Sequence, residues 1–368
     1  NIFMTTYIHC KNKSSIINKI FKNNELNKDK FIPSIWYSNP LLQTIRALSL
    51  YSPKKIINNI KRDIIYLDNG GTVGVDWLIT NNLSKNSPIV INFPGACADK
   101  LNETGGITGL LRNIILSKMD SIRFGNAVYQ GIGLNQTSPH INSTCYCGTN
   151  DIGSILQYVR KRYPKQPLII IASSIGAGYF TKWIGKNPTL CKKLNITGGI
   201  MIGHGTSAEL THKYTMEYCF GIVSYSVVNR WKNNIFNNTY NKEYLKSIEK
   251  TGICPGFKLS NLKKATTVKQ WEIACLPLYN YKSLEEMYQN CDATHYLTNI
   301  TIPLCFINSE DDPVCCYSVL KNHPIFNYPN TGFIVTPKGG HLGWIDKDNG
   351  KWFSQVIVKL INGFINET

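Results

Sequence analysis

A serine can act as a nucleophile only if a sharp turn lifts its hydroxyl clear of the chain, a base lies within reach, and an acid orients that base. The segment Leu168-Ile-Ile-Ile-Ala-Ser-Ser-Ile-Gly-Ala-Gly178 offers the turn. A continuous β-branched run gives way to small residues and then to a helix, the strand-turn-helix context of a nucleophile elbow. Such a turn needs small residues two before and two after the serine. Ser174 has Ala172 and Gly176 there, whereas Ser173 would have Ile171 and Ile175. Ser174 is therefore the candidate nucleophile. On this segment alone, a serine that merely caps the helix fits equally well.

The partners decide between those readings. After an elbow of this kind the acid and the base follow in the chain order Ser, Asp or Glu, His. Ser309-Glu-Asp-Asp-Pro-Val314 follows one apolar run and Pro337-Lys-Gly-Gly-His-Leu-Gly-Trp344 follows the next, so both groups come just after the C-terminal end of a strand. His341 is the candidate base. Of the other histidines, His140 lies in a loop upstream, His204 precedes the acid, and His323 sits in a Pro-flanked turn. Asp312 is the candidate acid because Pro313 after it helps turn the chain at the strand end. Asp311 is the alternative, its other role being a supporting hydrogen bond. Acyl transfer also needs donors for the developing oxyanion. The backbone N–H after the nucleophile, Ile175, and one from the Pro94-Gly95-Ala96-Cys97 turn, Ala96, are the candidates.

The elements that must hold these groups are legible as short apolar runs alternating with longer helical stretches from Ile65 onward. Strands are expected at Pro88–Phe93, Leu168–Ala172, Thr197–Ile202, Pro303–Ile307 and Gly332–Thr336, with a weaker one at Ala127–Tyr129. Asn150–Tyr163 and Gly176–Gly185 read as helices. The pattern is that of a mostly parallel sheet covered on both faces, forming one catalytic domain over 61–368. Residues 1–60 form a basic leader without strand alternation, in which Ile35, Trp36, Leu41, Leu42, Ile45 and Leu48 fit one helical face. Residues from about 205 to 298 separate two strands by far more than a usual connection and read as an inserted helical cap that shapes the pocket.

Composition sets limits. With 368 residues, 43% hydrophobic and 17% charged, the chain can bury a sizeable core. The formal charge of +17 attracts polyanions in general. Lys is nevertheless scattered among Asn and Ile rather than gathered into an arm, which argues against a nucleic-acid binder. The densest basic stretch is the leader, where attraction to a membrane surface is an expectation. Twelve cysteines, with Cys145/Cys147 and Cys315/Cys316 the close pairs, match no zinc pattern and read as free thiols. No metal and no cofactor is called for. No apolar run reaches eighteen residues. Because the chain starts at Asn1, a signal or anchor segment upstream is an expectation, giving a membrane-associated or a cytoplasmic protein.

Taken together, these residues resemble the AB hydrolase 4 family, which includes the YheT-type hydrolases and abhydrolase-domain proteins 1, 2 and 3. Phe31-Ile-Pro-Ser-Ile-Trp36 with Leu42-Gln-Thr44 looks like the family's leader motif, and Asp68-Asn-Gly-Gly71 with Asp76-Trp77 looks like its first hairpin. Pro94-Gly95, Tyr146 with Asp151, Ser174-x-Gly176, Asp311-Asp-Pro313 and Gly339-Gly-His-Leu-Gly343 continue the match over residues 31–345. The resemblance implies the α/β-hydrolase fold and an ester or lipid hydrolase, with medium-chain esters, monoacylglycerols or phospholipids as candidate substrates. A non-catalytic lipid- or partner-binding protein of the same fold is the competing reading. The chain departs from the family at Ala172, in place of the first elbow glycine, and at Ile132-Gly133, where the family has Arg-Gly and a local salt bridge. His341 to Asp346 also fits a His-x4-Asp pattern of acyltransferases, although His341 already has a role. Acyl length, head group and oligomeric state are left open.

Overall fold

The computed structural model describes residues 6–28, 30–50, 59–95, 105–130, 150–205, 207–237 and 239–367. Nine strands among these residues form one sheet: β1 (Tyr7–His9), β2 (Ile60–Tyr66), β3 (Thr72–Leu78), β4 (Ile89–Phe93), β5 (Arg123–Val128), β6 (Leu168–Ser173), β7 (Ile196–Ile202), β8 (Leu304–Ser309) and β9 (Thr331–Thr336). Their order is β1-β9-β8-β7-β6-β4-β5-β3-β2. The pairs from β5 through β4, β6, β7, β8 to β9 are parallel, while β3 is antiparallel to both β2 and β5.

The central strands are apolar along their whole length because both faces are covered. On β6, Leu168, Ile170 and Ala172 enter one core, together with Ile155 and Phe180 from the helices Asn150–Arg162 and Ile175–Lys186. Ile169 and Ile171 point the other way, into a second core with Leu111, Ile357 and Phe364 from the helices Gly106–Lys118 and Lys351–Asn366. Alternation with period two thus feeds two layers at once. The β2–β3 hairpin is pinned across its register by a bidentate pair, Arg62 Nε and Nη2 on Asp76 at 2.6 and 2.8 Å, and by Trp77 Nε1 donating to Asp63 at 2.7 Å.

The leader is more deeply built into the sheet than its sequence indicates. Tyr7–His9 adds an antiparallel edge strand to β9, three residues being too few for alternation to show. The helix Ile16–Asn23, capped by Ser15, sends Ile17, Ile20 and Phe21 into the second core. The single helical face expected over Ile35–Leu48 is split. Ile35–Tyr37 is an isolated 3-10 turn, and a helix begins only at Pro40, because the Asn39 side chain accepts from the N–H groups of Leu41 and Leu42. The side chain of Leu48 lies outside the described residues.

Between β7 and β8 run helices that include Ala208–Glu217, Ile222–Phe236, Thr239–Thr251, Val268–Tyr279 and Leu284–Cys291. They have an apolar cluster of their own around Val228, Leu245, Leu262 and Trp271. Cys291 is disulfide-bonded, which corrects the reading of all twelve cysteines as free thiols. Cys315 and Cys316 do remain thiols. Among the described residues no helix is long and apolar enough to cross a membrane.

Gly332 on β9 is where the leader helix meets the sheet. A Cβ there would stand 2.1 Å from Ile17 Cγ2 and 2.8 Å from Phe21. Gly332→Ala should therefore push that helix off the sheet and cost roughly 1–3 kcal/mol, the scale of overpacking, read as a lower urea midpoint at unchanged slope.

Candidate active site

β6 ends in the tightest turn of the site. Ser174 has φ 51° and ψ −124°, outside the ordinary basins of a residue with a side chain, a strain on the order of 1–3 kcal/mol. Its N–H donates to Ile202 O at 2.8 Å, which ties the turn to the neighbouring strand. The close approach of the β4 end explains the small residues around it. A Cβ on Gly176 would come within 2.4 Å of Pro94 O, and one on Gly95 within 3.0 Å of Ser174 Cβ. Ala172, two residues before the serine, is fully buried on β6 opposite Phe93, so its methyl group is accommodated in the core. Ser173 is held elsewhere: its Oγ accepts the Gly95 N–H at 3.1 Å and the residue is buried.

His341 lies beyond β9 and Asp312 beyond β8, and the two meet Ser174 at the C-terminal edge of the sheet. His341 Nε2 is 2.9 Å from Ser174 Oγ, and His341 Nδ1 is 2.8 Å from Asp312 Oδ2. The network fixes the tautomer in which Nδ1–H donates to the carboxylate and the serine hydroxyl donates to Nε2. The other oxygen of Asp312 accepts from the N–H groups of Val314 and Cys315, both at 2.7 Å, so this buried carboxylate is aimed before any substrate arrives. Asp311 points away from the imidazole. Its Oδ1 accepts the Gly340 N–H at 2.9 Å, and its carboxyl pKa is raised, chiefly by burial.

Asp312, Cys315 and His341 are near enough to hold a metal ion, but the donor set is unsuited to one. His341 Nδ1 and Asp312 are spent on each other, and burial pushes the Cys315 thiol far up, so it stays protonated.

The residues that hold His341 in place were the ones sequence reasoning did not single out. Its loop turns left-handed at three alternate positions: Gly340, Leu342 and Trp344 have φ of 60°, 61° and 46°. Gln43, fully buried in the helix Pro40–Ser49, donates through Nε2 to Ile345 O at 3.0 Å and accepts the Ile345 N–H at 2.8 Å. Next to it, Thr44 Oγ1 accepts the His341 N–H at 2.8 Å and donates to Pro40 O at 2.8 Å. Ser309 Oγ donates to Gly340 O, and Trp344 Nε1 donates to Thr336. The Leu42-Gln-Thr44 motif of the resemblance is thus a clamp on the histidine loop. Asp346 is occupied structurally, since its carboxylate accepts the N–H groups of Asp348, Gly350, Lys351 and Trp352 and caps the last helix. That removes the basis for a His-x4-Asp reading.

Ile175 opens its helix, where an N–H has no acceptor within the helix and the positive end of the dipole faces the serine. Ala96, Ile132, Gly133 and Tyr146 lie outside the described residues. Asp151, quoted with Tyr146 in the resemblance, accepts from Gln130 N at 3.1 Å and Gln130 Nε2 at 2.7 Å. Burial pushes its carboxyl up to about 6. His204, at the end of β7, is buried edge-on to Phe306, and burial lowers its pKa to about 3, so it is neutral. It does not contact the serine.

A cavity of about 250 Å³ opens onto Ser174 and His341. Its walls are mostly apolar, with Leu41 and Ile45 from the leader helix and Ile222, Val227 and Trp231 from the inserted helices, and two cations, Lys182 and Arg230. A strand order with β4 and β6 at the centre, a sharp turn after β6, and an acid and a histidine after β8 and β9 mark one fold. The chain has the α/β-hydrolase fold. No family model matches it. It is 25% identical over 227 residues to a monoacylglycerol lipase of Saccharomyces cerevisiae, covering 60% of this chain and 47% of that protein. To Phospholipase ABHD3 of Bos taurus it is 21% identical over 329 residues, 86% of this chain and 74% of that one. Against an esterase of Pyrococcus furiosus it superposes with TM-score 0.51 at 12% identity, covering 86% of this chain and 98% of the esterase. The resemblance to the abhydrolase-domain proteins therefore rests on relatives as well as on motifs. The chain spans about half the length of the monoacylglycerol lipases it matches.

Replacing Gln43 with Leu leaves the Ile345 N–H buried without a partner, at a cost of about 1–3 kcal/mol. Because the loop it releases carries His341, ester turnover should fall in kcat by more than tenfold with KM little changed, while Leu42→Ala alters neither the clamp nor kcat. For Asp151 the sign follows from its raised pKa. A carboxyl that titrates at about 6 when folded, against 3.8 ordinarily, destabilises the fold in full above about pH 6. That penalty fades as pH falls towards 3.8, where the unfolded chain takes up the proton too. Asp151→Asn should accordingly raise stability by on the order of 2 kcal/mol at pH 8 and have no such effect at pH 4, measured by urea denaturation.

Proposed function

We propose that this chain hydrolyses carboxylic esters of lipid type through an acyl-enzyme on Ser174. The observation that carries the reading is the unbroken hydrogen-bonded line from Ser174 Oγ through His341 to Asp312 at the floor of an apolar cavity. His341 removes the hydroxyl proton as Ser174 attacks the ester carbonyl, and Asp312 stabilises the imidazolium. The tetrahedral oxyanion is held by the N–H of Ile175 and that of Ala96, with the helix N-terminus adding its dipole. His341 then protonates the leaving alcohol, and a water activated by the same imidazole releases the acid.

An apolar cavity of this kind suits an acyl chain better than a sugar or a peptide. The names borne by the relatives, a monoacylglycerol lipase and a phospholipase, support glycerides or phospholipids as the substrate class. Hydrolysis and transfer of the acyl group to an added alcohol share every step up to the acyl-enzyme.

A fluorophosphonate probe should label the intact chain and its Ser173→Ala variant, and fail to label Ser174→Ala. Labelling that persists in Ser174→Ala but vanishes in Ser173→Ala would falsify the assignment. An intact chain that takes up no probe at all would favour a lipid-binding protein of the same fold.

A further inference from the structure

The leader holds an apolar surface that the fold leaves open. Ile32, Ile35 and Trp36 are 70%, 83% and 80% exposed, and Leu42 and Ile45 on the following helix are about half exposed. These are not the side chains of a loose tail. Ser34 N–H donates to Ile345 O at 3.0 Å, Pro33 forms a bridge with Asp346, and Tyr37 N–H closes the turn on Ser34 O at 2.9 Å. A pinned turn that projects isoleucine and tryptophan into water is a patch kept for an interaction.

Two further observations fix the kind of partner. The patch runs into the mouth of the cavity, since Ile45 belongs to both, and Ile222 of the inserted helix Ile222–Phe236 lines the same cavity and is 55% exposed. The charge at that rim is positive. Arg230 lines the same mouth two turns along from Ile222, is exposed, and has no carboxylate paired with it among the described residues, in a chain whose formal charge is +17. Amphipathic tryptophan and aliphatic side chains seat at a lipid–water boundary, and cations beside them are drawn to anionic head groups.

We infer that the turn over residues 32–36, with Leu42, Ile45 and the Ile222–Arg230 face, docks the chain onto an anionic phospholipid surface with the cavity mouth against the lipid. The inference rests on reading the cavity as a site for lipid esters. The same short helix that touches lipid through Leu42 and Ile45 grips the His341 loop through Gln43 and Thr44, so the docked face and the catalytic loop are parts of one rigid piece.

The test uses the Ser174→Ala chain, which cannot consume its membrane, sedimented with phosphatidylcholine vesicles or with vesicles containing about a third phosphatidylserine. Binding should favour the anionic vesicles, weaken as salt is raised, and drop by about tenfold or more when Ile35 and Trp36 are both changed to Ser. On the Ser174 background that double variant should hydrolyse a water-soluble short-chain p-nitrophenyl ester at the unaltered rate. Should it fail to fold, Trp36→Ser alone carries the same comparison. Absence of vesicle binding, or binding that is indifferent to the substitutions, overturns the inference. So does a double variant that splits a dimer in sedimentation equilibrium while vesicle binding persists, because the face then belongs to a second copy. Loss of soluble-ester hydrolysis in the unmodified chain, with vesicle binding intact, sinks the proposed function instead.

Discussion

The hydroxyl of Ser174 is presented by a backbone that an L-residue adopts only under compulsion, and the surroundings supply it. The strand before it is locked on both sides by parallel neighbours, and the helix after it is buried through Ala177 and Phe180. Between these two fixed elements there is room for one residue at the turn, and space around it only for Gly176 and Gly95. The strain is sustained because relaxing it would mean moving a strand at the centre of the sheet. Two cores on opposite faces resist that movement together. The fold here does energetic work at a single residue, as strained functional turns generally require.

The histidine is positioned by a different device. Where the serine relies on regular structure, His341 sits in a loop with three left-handed residues, which no sheet or helix can stabilise. Its stability is borrowed from the leader: Gln43 satisfies both the N–H and the C=O of Ile345, and Thr44 takes the N–H of His341 itself. On the acid side, Asp311 reaches across to the Gly340 N–H while Asp312 holds the ring, so adjacent carboxylates divide support of the loop from orientation of the imidazole.

How much of this the sequence disclosed follows from the range of the interactions. The sheet was legible because each central strand is a local run of buried residues. Ser174 was distinguishable from Ser173 because the constraint acts on residues two positions away. Asp312 and His341 were singled out through chain order, a rule of topology. The edge strand at Tyr7–His9 was hidden because three residues carry no period, and the split at Asn39-Pro40 was missed because apolar spacing outweighed a capping signal. Gln43 was quoted as part of a motif, but no local pattern says that an amide will be fully buried against residue 345. The cavity is likewise a product of three distant segments, which is why composition suggested a lipid surface only through charge.

The clamp between Gln43 and Ile345 spans 302 positions of the chain. A contact of that sequence separation forms late, since the entropy of closing so long a loop must be met first. At a ribosomal pace of about 5–20 residues per second, roughly 15 to 60 seconds separate the emergence of the amide from that of its backbone partner. Through the later part of that interval β6 and its turn are already synthesised while the imidazole is still unmade. The hydrogen-bonded line from Ser174 through His341 to Asp312 is then completed in one late step.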